Sequence, residues 1–176
     1  MDGQSRTYQS QMKKGLILGR FQPFHLGHLN VVKEVMKEGL LPVIGIGSSE
    51  EGNTLNNPFT SQERIAMIKL ILDELGTKYE ICEIPDINDN DKYVSHLETF
   101  IPEFDYIYSG NALVQRLFRE AGHNVVIPEF VNREDWEGSS IRQAMMEGDG
   151  WEQAVPRQIV DKIHTLNGTE RLKRLS

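Results

Sequence analysis

The sequence predicts an α/β fold, a Rossmann-like doubly wound parallel sheet of about five strands with helices on both faces. Two observations lead to this prediction. Short apolar runs alternate along the chain with segments of about ten to fifteen residues in which apolar side chains recur at helical spacing. The length of 176 residues, with 39% hydrophobic and 26% charged residues, is typical of one globular domain with its own core.

The first half of the chain is predicted to contain three strands and three helices. The strands are short apolar or alternating runs, at residues 15–19, 41–47 and 79–84. The first helix begins near Phe24 or His25 and ends before Gly39, and the second and third helices cover residues 61–75 and 91–100. Thr60 and Glu63 form a capping box that opens the second helix.

The second half continues this alternation. Strands are predicted at residues 104–108 and 124–127, and helices at 112–120, 140–147 and 157–166. The apolar residues of the last predicted helix could pack in the core or form an interface with another protein chain. These residues are Ile159, Val160, Ile163 and Leu166. We expect the basic residues Arg171, Lys173 and Arg174 to lie on a solvated helix end. Trp136 and Trp151 are interpreted as packing residues.

The predicted domain organisation is simple. Residues 1–12 are interpreted as a flexible N-terminal extension, because residues 1–11 contain no aliphatic side chain after Met1. Residues 13–176 are interpreted as a single domain, since the sequence shows no internal repeat, low-complexity tract or linker.

The charge and the cysteine content exclude several classes of partner. The net charge of −7 makes neither the nucleic acid backbone nor an acidic membrane surface an expected partner. Much of the acidity lies between Asp73 and Asp105, where ten side chains are acidic and two are basic. The single cysteine, Cys82, cannot form an internal disulfide, and no run approaches the ~20 apolar residues that span a bilayer. We therefore expect a cytoplasmic protein.

The most informative stretch is the first strand-to-helix junction, residues 19–28, which reads Gly-Arg-Phe-Gln-Pro-Phe-His-Leu-Gly-His. His25 and His28 would lie on one face of the first helical turn, where free backbone N–H groups and the helix dipole attract anions. Gly27 between them would keep the approach open. Two imidazoles there can donate hydrogen bonds to phosphate oxygens during phosphoryl transfer. The alternatives are a zinc site, which lacks a third ligand at a telling spacing, and two unrelated surface histidines.

His25-Leu26-Gly27-His28 resembles the H-x-G-H signature of the nucleotidyltransferase superfamily, whose members have a Rossmann-like fold. The longer string over residues 19–28 resembles the archaeal-type nicotinamide-nucleotide adenylyltransferases, which make NAD and pyrophosphate from ATP and nicotinamide mononucleotide (NMN). Three further strings resemble the same group, at residues 57–64, 104–118 and 168–172. The resemblance covers about residues 13–175, nearly the whole chain.

The second motif of the superfamily, commonly written S-x-T-x-x-R, matches residues 137–142 with two departures. Glu137 replaces the Ser, and it either points away from the polyphosphate or helps to hold Mg²⁺. Ser139 replaces the Thr and can still cap the helix and donate to a phosphate oxygen. Arg142 can still reach the β- and γ-phosphates of ATP.

The resemblance implies a set of site residues. The catalytic residues would be Arg20, His25, His28 and Arg142. ATP would be bound by these residues together with Gly19, Phe21, Gly27, Gly110, Asn111 and Ser139. NMN would be bound by Ile87, Asn90, Tyr93 and Phe130. Tyr93 would stack on the pyridine ring where relatives usually carry Trp, although Tyr93 and Phe130 could instead be partly buried packing residues.

The resemblance also implies partners. Mg²⁺ or another divalent cation would be held mainly through the phosphates, with no side-chain ligand assigned. Members of the group are often homo-oligomers, including hexamers. Two alternatives stay open: a nucleotidyltransferase of the same fold with phosphopantetheine, FMN or a polyol phosphate as acceptor, and a catalytically inactive nucleotide sensor.

Overall fold

A single all-parallel sheet forms the centre of the protein in the computed structural model, which describes residues 12–129 and 136–176. The strands are β1 (Lys14–Gly19), β2 (Leu41–Ile46), β3 (Glu80–Glu83), β4 (Tyr106–Tyr108) and β5 (Asn124–Val126). Their order in the sheet is β3-β2-β1-β4-β5, so the first strand is central and the order reverses beside it. This doubly wound order confirms the predicted fold class.

The described residues form seven α-helices and two short 3-10 helices. The α-helices are α1 (Leu26–Lys37), α2 (Ser61–Leu75), α3 (Tyr93–Glu98), α4 (Ala112–Glu120), α5 (Gly138–Glu147), α6 (Arg157–Thr165) and α7 (Gly168–Leu175). The 3-10 helices are Asn90–Lys92 and Trp151–Ala154. Among the helices in these two described ranges, none is long and apolar enough to cross a bilayer.

The helices cover both faces of the sheet. Neighbouring residues of β1 point to opposite faces, so Ile17 and Leu16 are both buried but belong to different hydrophobic clusters. The Ile17 cluster contains apolar residues of α1, α2, α5, α6 and α7. The Leu16 cluster contains Leu97 of α3 and Phe118 of α4.

The C-terminal helices differ from the prediction in two respects. The predicted helix ends at Thr165, and a separate helix follows because Asn167 adopts a left-handed conformation with φ 53°. The expectation that Arg171 is solvated is wrong. Both terminal nitrogens of its guanidinium donate to the Glu63 carboxylate, at 2.7 and 2.8 Å. Nη1 also donates to the Pro58 carbonyl at 2.9 Å, so α7 is fastened to the segment that opens α2.

The apolar face of α6 serves the core. Ile159 and Ile163 are fully buried, and Val160 and Leu166 pack partly buried against the same cluster. Trp151 is also buried there, as predicted for a packing residue.

Candidate active site

Two open pockets lie at the carboxyl ends of the strands, where ligands of doubly wound sheets bind. The β2-side pocket, of about 320 Å³, lies against the ends of β1 and β2 and against α3, and it extends to the start of α4. The β4-side pocket, of about 380 Å³, lies between the starts of α1 and α5. The two pockets share Leu18, Ser109 and Asn111, so they meet at the end of β1.

The two histidines of the first junction stack on each other at the edge of the β4-side pocket. Their ring centroids are 3.6 Å apart, and both rings line that pocket. His25 caps α1, since its Nδ1 accepts a hydrogen bond of 3.1 Å from the Gly27 N–H. The backbone N–H of His25 in turn donates to Nδ1 of His28 at 3.1 Å. Because both Nδ1 atoms accept, a neutral imidazole at either position carries its proton on Nε2.

Burial keeps both imidazoles neutral. It lowers the pKa of His25 to about 4. It lowers the pKa of His28 well below the ordinary value, with a smaller contribution from the neighbouring His25. The pair can therefore act as two hydrogen-bond donors at neutral pH, while positive charge must come from elsewhere.

Gly27 is needed because the His25 ring folds over the start of the helix. A Cβ atom on residue 27 would lie 2.9 Å from both Nδ1 and Cε1 of that ring. The glycine in H-x-G-H therefore permits the observed conformation of the His25 side chain. The sequence predicts only that Gly27 keeps the approach to the site open.

Phe21 supports the histidine pair from below. Its ring centroid lies 4.6 Å from that of His28, and its side chain is 1% exposed. Phe24 packs against the same imidazole at 5.4 Å. Phe21 is not among the described residues that line either pocket, so the structure places it behind the predicted ATP site.

Arg142 lies buried beneath the first turn of α5. Its Nη1 donates to the Gln22 carbonyl at 2.9 Å, and a Cβ on Gly138 would lie 2.9 Å from that nitrogen. Burial lowers the pKa of Arg142, and the positive charge of Arg20 lowers it further, so the two guanidinium groups are near enough to interact. Ser139 is exposed in the first turn, and the N-cap position belongs to Glu137 without a side-chain cap, so the predicted capping by Ser139 does not occur.

Most of the predicted ATP residues line one of the two pockets, but Phe21, Ser139 and Arg142 are not among the described residues that line either. Gly19 and Arg20 line the β2-side pocket, whereas Gly27 and Gly110 join the two histidines in the β4-side pocket. Asn111 lines both pockets. Arg20 is exposed, and its Nη1 lies 3.5 Å from Oδ1 of Asn57.

The predicted NMN residues are only partly brought together. Ile87 and Tyr93 line the β2-side pocket. The Tyr93 ring packs edge-on against Phe118, and burial raises the pKa of its hydroxyl. Asn90 is exposed on the 3-10 helix and is not among the described lining residues. Phe130 lies outside the residues that the structure describes.

Several pocket residues were not predicted from the sequence. Ser48 and His96 line the β2-side pocket, Ser109 lines both pockets, and Trp136, which was expected only to pack, lines the β4-side pocket. Ser48 donates to Oδ1 of Asp86 at 2.9 Å, and Nε2 of His96 lies 2.8 Å from the Pro85 carbonyl. Ser48 and Ser109 closely follow the ends of β2 and β4, so the rule that ligands bind at strand ends could have identified them.

Arg64 of α2 was also missed as an individual residue. It is 0% exposed, and all of its hydrogen bonds that the structure describes go to backbone carbonyls. The pattern held a signal, because Arg64 precedes Met67, Ile68 and Ile71 by three, four and seven residues. That spacing places it on the buried stripe of an amphipathic helix.

Comparison with known proteins decides the family. Residues 16–144 match the family model described as cytidylyltransferase-like. The nicotinamide-nucleotide adenylyltransferase of Thermoplasma volcanium is 43% identical over 93% of this chain and 92% of its own length. That of Methanolobus tindarius is 41% identical over 94% of this chain and 95% of its own length. The chain belongs to the nicotinamide-nucleotide adenylyltransferase family. It is thus a nucleotidyltransferase, as the H-x-G-H resemblance predicted.

The solved structures agree on the fold. A bifunctional NMN adenylyltransferase/ADP ribose pyrophosphatase from Francisella tularensis, complexed with AMP and a manganese ion, superposes with a TM-score of 0.71 at 20% identity. The match covers 93% of this chain and 52% of that protein, so the chain corresponds to about half of the bifunctional enzyme.

Proposed function

We propose that this protein makes NAD and pyrophosphate from ATP and NMN, using the two pockets beside β1 for its two substrates. The observation that carries the proposal is the stacked pair of neutral histidines at the start of α1, in a chain that belongs to this family. Imidazole donors at a helix N-terminus suit the phosphate groups of a nucleotide.

The pocket linings support one placement of the substrates. ATP would occupy the β4-side pocket, with its phosphates against His25 and His28. NMN would occupy the β2-side pocket, with its pyridine ring against Tyr93 and near Asp86, whose negative charge suits a cationic ring. The reacting phosphates would then meet near the shared residue Asn111.

The reaction would be an in-line displacement. An oxygen of the NMN phosphate attacks the α-phosphorus of ATP, the bond from that phosphorus to the bridging oxygen of the β-phosphate breaks, and pyrophosphate leaves. The Nε2–H groups of His25 and His28 donate to phosphoryl oxygens, while Arg20 and Arg142 offset the developing negative charge. Catalysis then depends on positioning and charge, and no protein nucleophile is required.

A divalent cation would accompany ATP as part of the substrate and neutralise phosphate charge. The described residues contain no group of three or more His, Cys, Asp or Glu side chains able to hold a metal ion. Phosphate oxygens and water would therefore supply most of the ligands, which suits Mg²⁺ in particular. Glu137 lines the β4-side pocket, and its proposed role is either to help hold Mg²⁺ or to point away from the polyphosphate.

A panel of acceptors tests the proposal. Purified protein with ATP and Mg²⁺ is given NMN, phosphopantetheine, FMN or a polyol phosphate in separate reactions, and the products are identified by mass spectrometry together with pyrophosphate release. We expect NAD from NMN as the main product. A faster reaction with another acceptor would contradict the assignment, and binding of ATP and NMN without pyrophosphate release would indicate an inactive sensor.

The His28→Ala variant tests the mechanism in the same assay. We expect turnover to fall by roughly 10² to 10³ because a donor to the transition state is lost, with the fold intact by circular dichroism. A near-normal rate would remove the histidine pair from the mechanism.

The homo-oligomeric state and the cytoplasmic location stay predictions. Light scattering of the purified protein measures the oligomeric state.

A further inference from the structure

The guanidinium of Arg64 uses all five of its N–H groups on the backbone around the strand ends. Nη1 donates to the carbonyls of Arg20 and Gly47 at 3.0 and 2.9 Å. Nη2 donates to those of Ser48 and Glu51 at 3.0 and 3.1 Å. Nε donates to the carbonyl of Thr60 at 3.3 Å. Since a guanidinium has five donors, none is left for solvent.

Three of the five residues whose carbonyls accept hydrogen bonds from Arg64 line one of the two pockets. Arg20, Gly47 and Ser48 all line the β2-side pocket, and none of the three is among the described residues that line the β4-side pocket. The same strand ends are joined by the Gly47 N–H, which donates to the Gly19 carbonyl at 2.9 Å. Arg64 therefore holds together the backbone of the proposed NMN pocket, and the proposed ATP pocket has its own support from Phe21 and Phe24.

Arg64 also places a positive charge under that pocket. Burial lowers its pKa, and the carboxylates of Glu50, Glu83 and Asp86 oppose the shift. An arginine keeps its proton in proteins, so the charge persists. The charge of Arg20 acts on Arg64, which means that the two cations are neighbours. An NMN phosphate in this pocket would meet the exposed Arg20 first and feel the buried charge beneath it.

We propose that Arg64 is a positioning residue for the acceptor, one that sets the affinity for NMN and leaves the affinity for ATP nearly unchanged. The proposal rests on the proposed function, because it names the substrate that the β2-side pocket takes. If Arg64 were merely structural, a different result would be expected. Its loss would then destabilise the protein and lower the affinity for both substrates equally.

Two substitutions separate these possibilities. Arg64→Lys keeps the charge but provides three donors from one nitrogen, so it cannot reach all five carbonyls. Arg64→Gln removes the charge as well. We expect KM for NMN to rise at least about tenfold in Arg64→Lys, the effect of losing two of these hydrogen bonds, and further in Arg64→Gln. KM for ATP should stay within about twofold in both variants, because the contacts of the β4-side pocket remain.

Arg171→Lys is the matched control. Arg171 also donates to a backbone carbonyl, that of Pro58, and it pairs with Glu63, the residue before Arg64. Neither Arg171 nor its partners Pro58 and Glu63 are among the described residues that line either pocket. Arg171→Lys should therefore lower the melting temperature and change the two KM values by the same factor. Titration of NMN by calorimetry should reproduce the KM pattern for all variants without depending on turnover.

The outcomes are separable. A wild-type protein that makes no NAD contradicts the proposed function, whatever the variants do. If the wild type makes NAD but Arg64→Lys raises both KM values equally, the positioning role is wrong and the residue is structural. If neither Arg64 variant folds, the Nε–H resonance of Arg64 in the ¹⁵N-labelled wild type provides the test. It should shift on addition of NMN and not on addition of ATP, and an equal shift with both would overturn the proposal.

Discussion

Substituting Gly27 by alanine should separate stability from activity, because the residue stands in a helix but contacts the imidazole of His25, which we propose to be catalytic. The new Cβ would lie 2.9 Å from Nδ1 and Cε1 of His25, whereas ordinary contact begins at 3.4 Å. The His25 imidazole must therefore retreat by about 0.5 Å, the difference between these two distances. Its hydrogen bond from the N–H of residue 27, 3.1 Å long in the wild type, would then weaken or break.

The two consequences differ in size. Alanine in place of glycine stabilises a helix by about 1 kcal/mol, and losing an N-cap hydrogen bond costs about 1 kcal/mol, so the free energy of unfolding should change little. Catalytic groups must be held within about 0.5 Å of their productive positions, and a displacement of about 1 Å costs roughly 100-fold in rate. A displacement of about 0.5 Å reaches this limit, so we expect kcat to fall about tenfold in a protein as stable as the wild type.

The assay compares kcat for NAD formation with the free energy of unfolding in urea, for Gly27→Ala and for Lys33→Ala. Lys33 is exposed on the same helix, so its substitution should leave both quantities near their wild-type values. A normal kcat in Gly27→Ala would show that the His25 conformation described here is not the catalytic one. A large loss of stability would show that the variant reports on folding instead.

Two further predictions concern the second motif and the pH dependence of stability. Gly138→Ala would place a Cβ 2.9 Å from Nη1 of Arg142, so the guanidinium must shift and its hydrogen bond to the Gln22 carbonyl should weaken. We expect a lower kcat and a raised KM for ATP, both measured by steady-state kinetics. Burial lowers the pKa of His25 to about 4 from 6.5, so the unfolded chain binds the proton more tightly than the folded protein between these values. The contribution of His25 to the free energy of unfolding is fully present above pH 6.5 and should fall by about 3 kcal/mol as the pH approaches 4. Urea titrations at a series of pH values should show a smaller pH dependence for His25→Gln than for the wild type.

Local signals account for the parts of the fold that the sequence predicted well. The bounds of α2 are confirmed at both ends, since the Thr60 and Glu63 capping box opens it and a left-handed Gly76 closes it. The helix predicted at residues 91–100 is shorter, because residues 90–92 form a 3-10 turn before α3 begins. The end of α6 agrees with the predicted end at Leu166 to within one residue, whereas α7, which begins after the left-handed Asn167, was not predicted as a separate helix.

The site likewise contains features that local sequence signals predict and features that they do not. The H-x-G-H residues come together because they are neighbours at the start of one helix, and periodicity alone places His25 and His28 on one face. The roles of Arg64 and Arg171 depend on partners far away in the sequence. Glu63 holds Arg171 across 108 residues, and local charge patterning gives no means of knowing that a C-terminal arginine is paired.

Gln22 connects the strings that were predicted separately. Its side chain forms two buried hydrogen bonds with the backbone of Phe59, donating to the carbonyl at 2.8 Å and accepting from the N–H at 2.9 Å. Its own carbonyl accepts from Arg142 at 2.9 Å. The residue that lies between the two halves of the first motif thus fixes the segment before α2 and orients the arginine of the second motif. Because a glutamine side chain offers both a donor and an acceptor, it can pair with both groups of one peptide backbone, which a carboxylate or an apolar side chain cannot do. The geometry of the side chains that we propose to bind phosphate is therefore set by contacts between segments that are remote in the sequence. These contacts explain why the short motifs alone indicate the chemistry but not the arrangement that supports it.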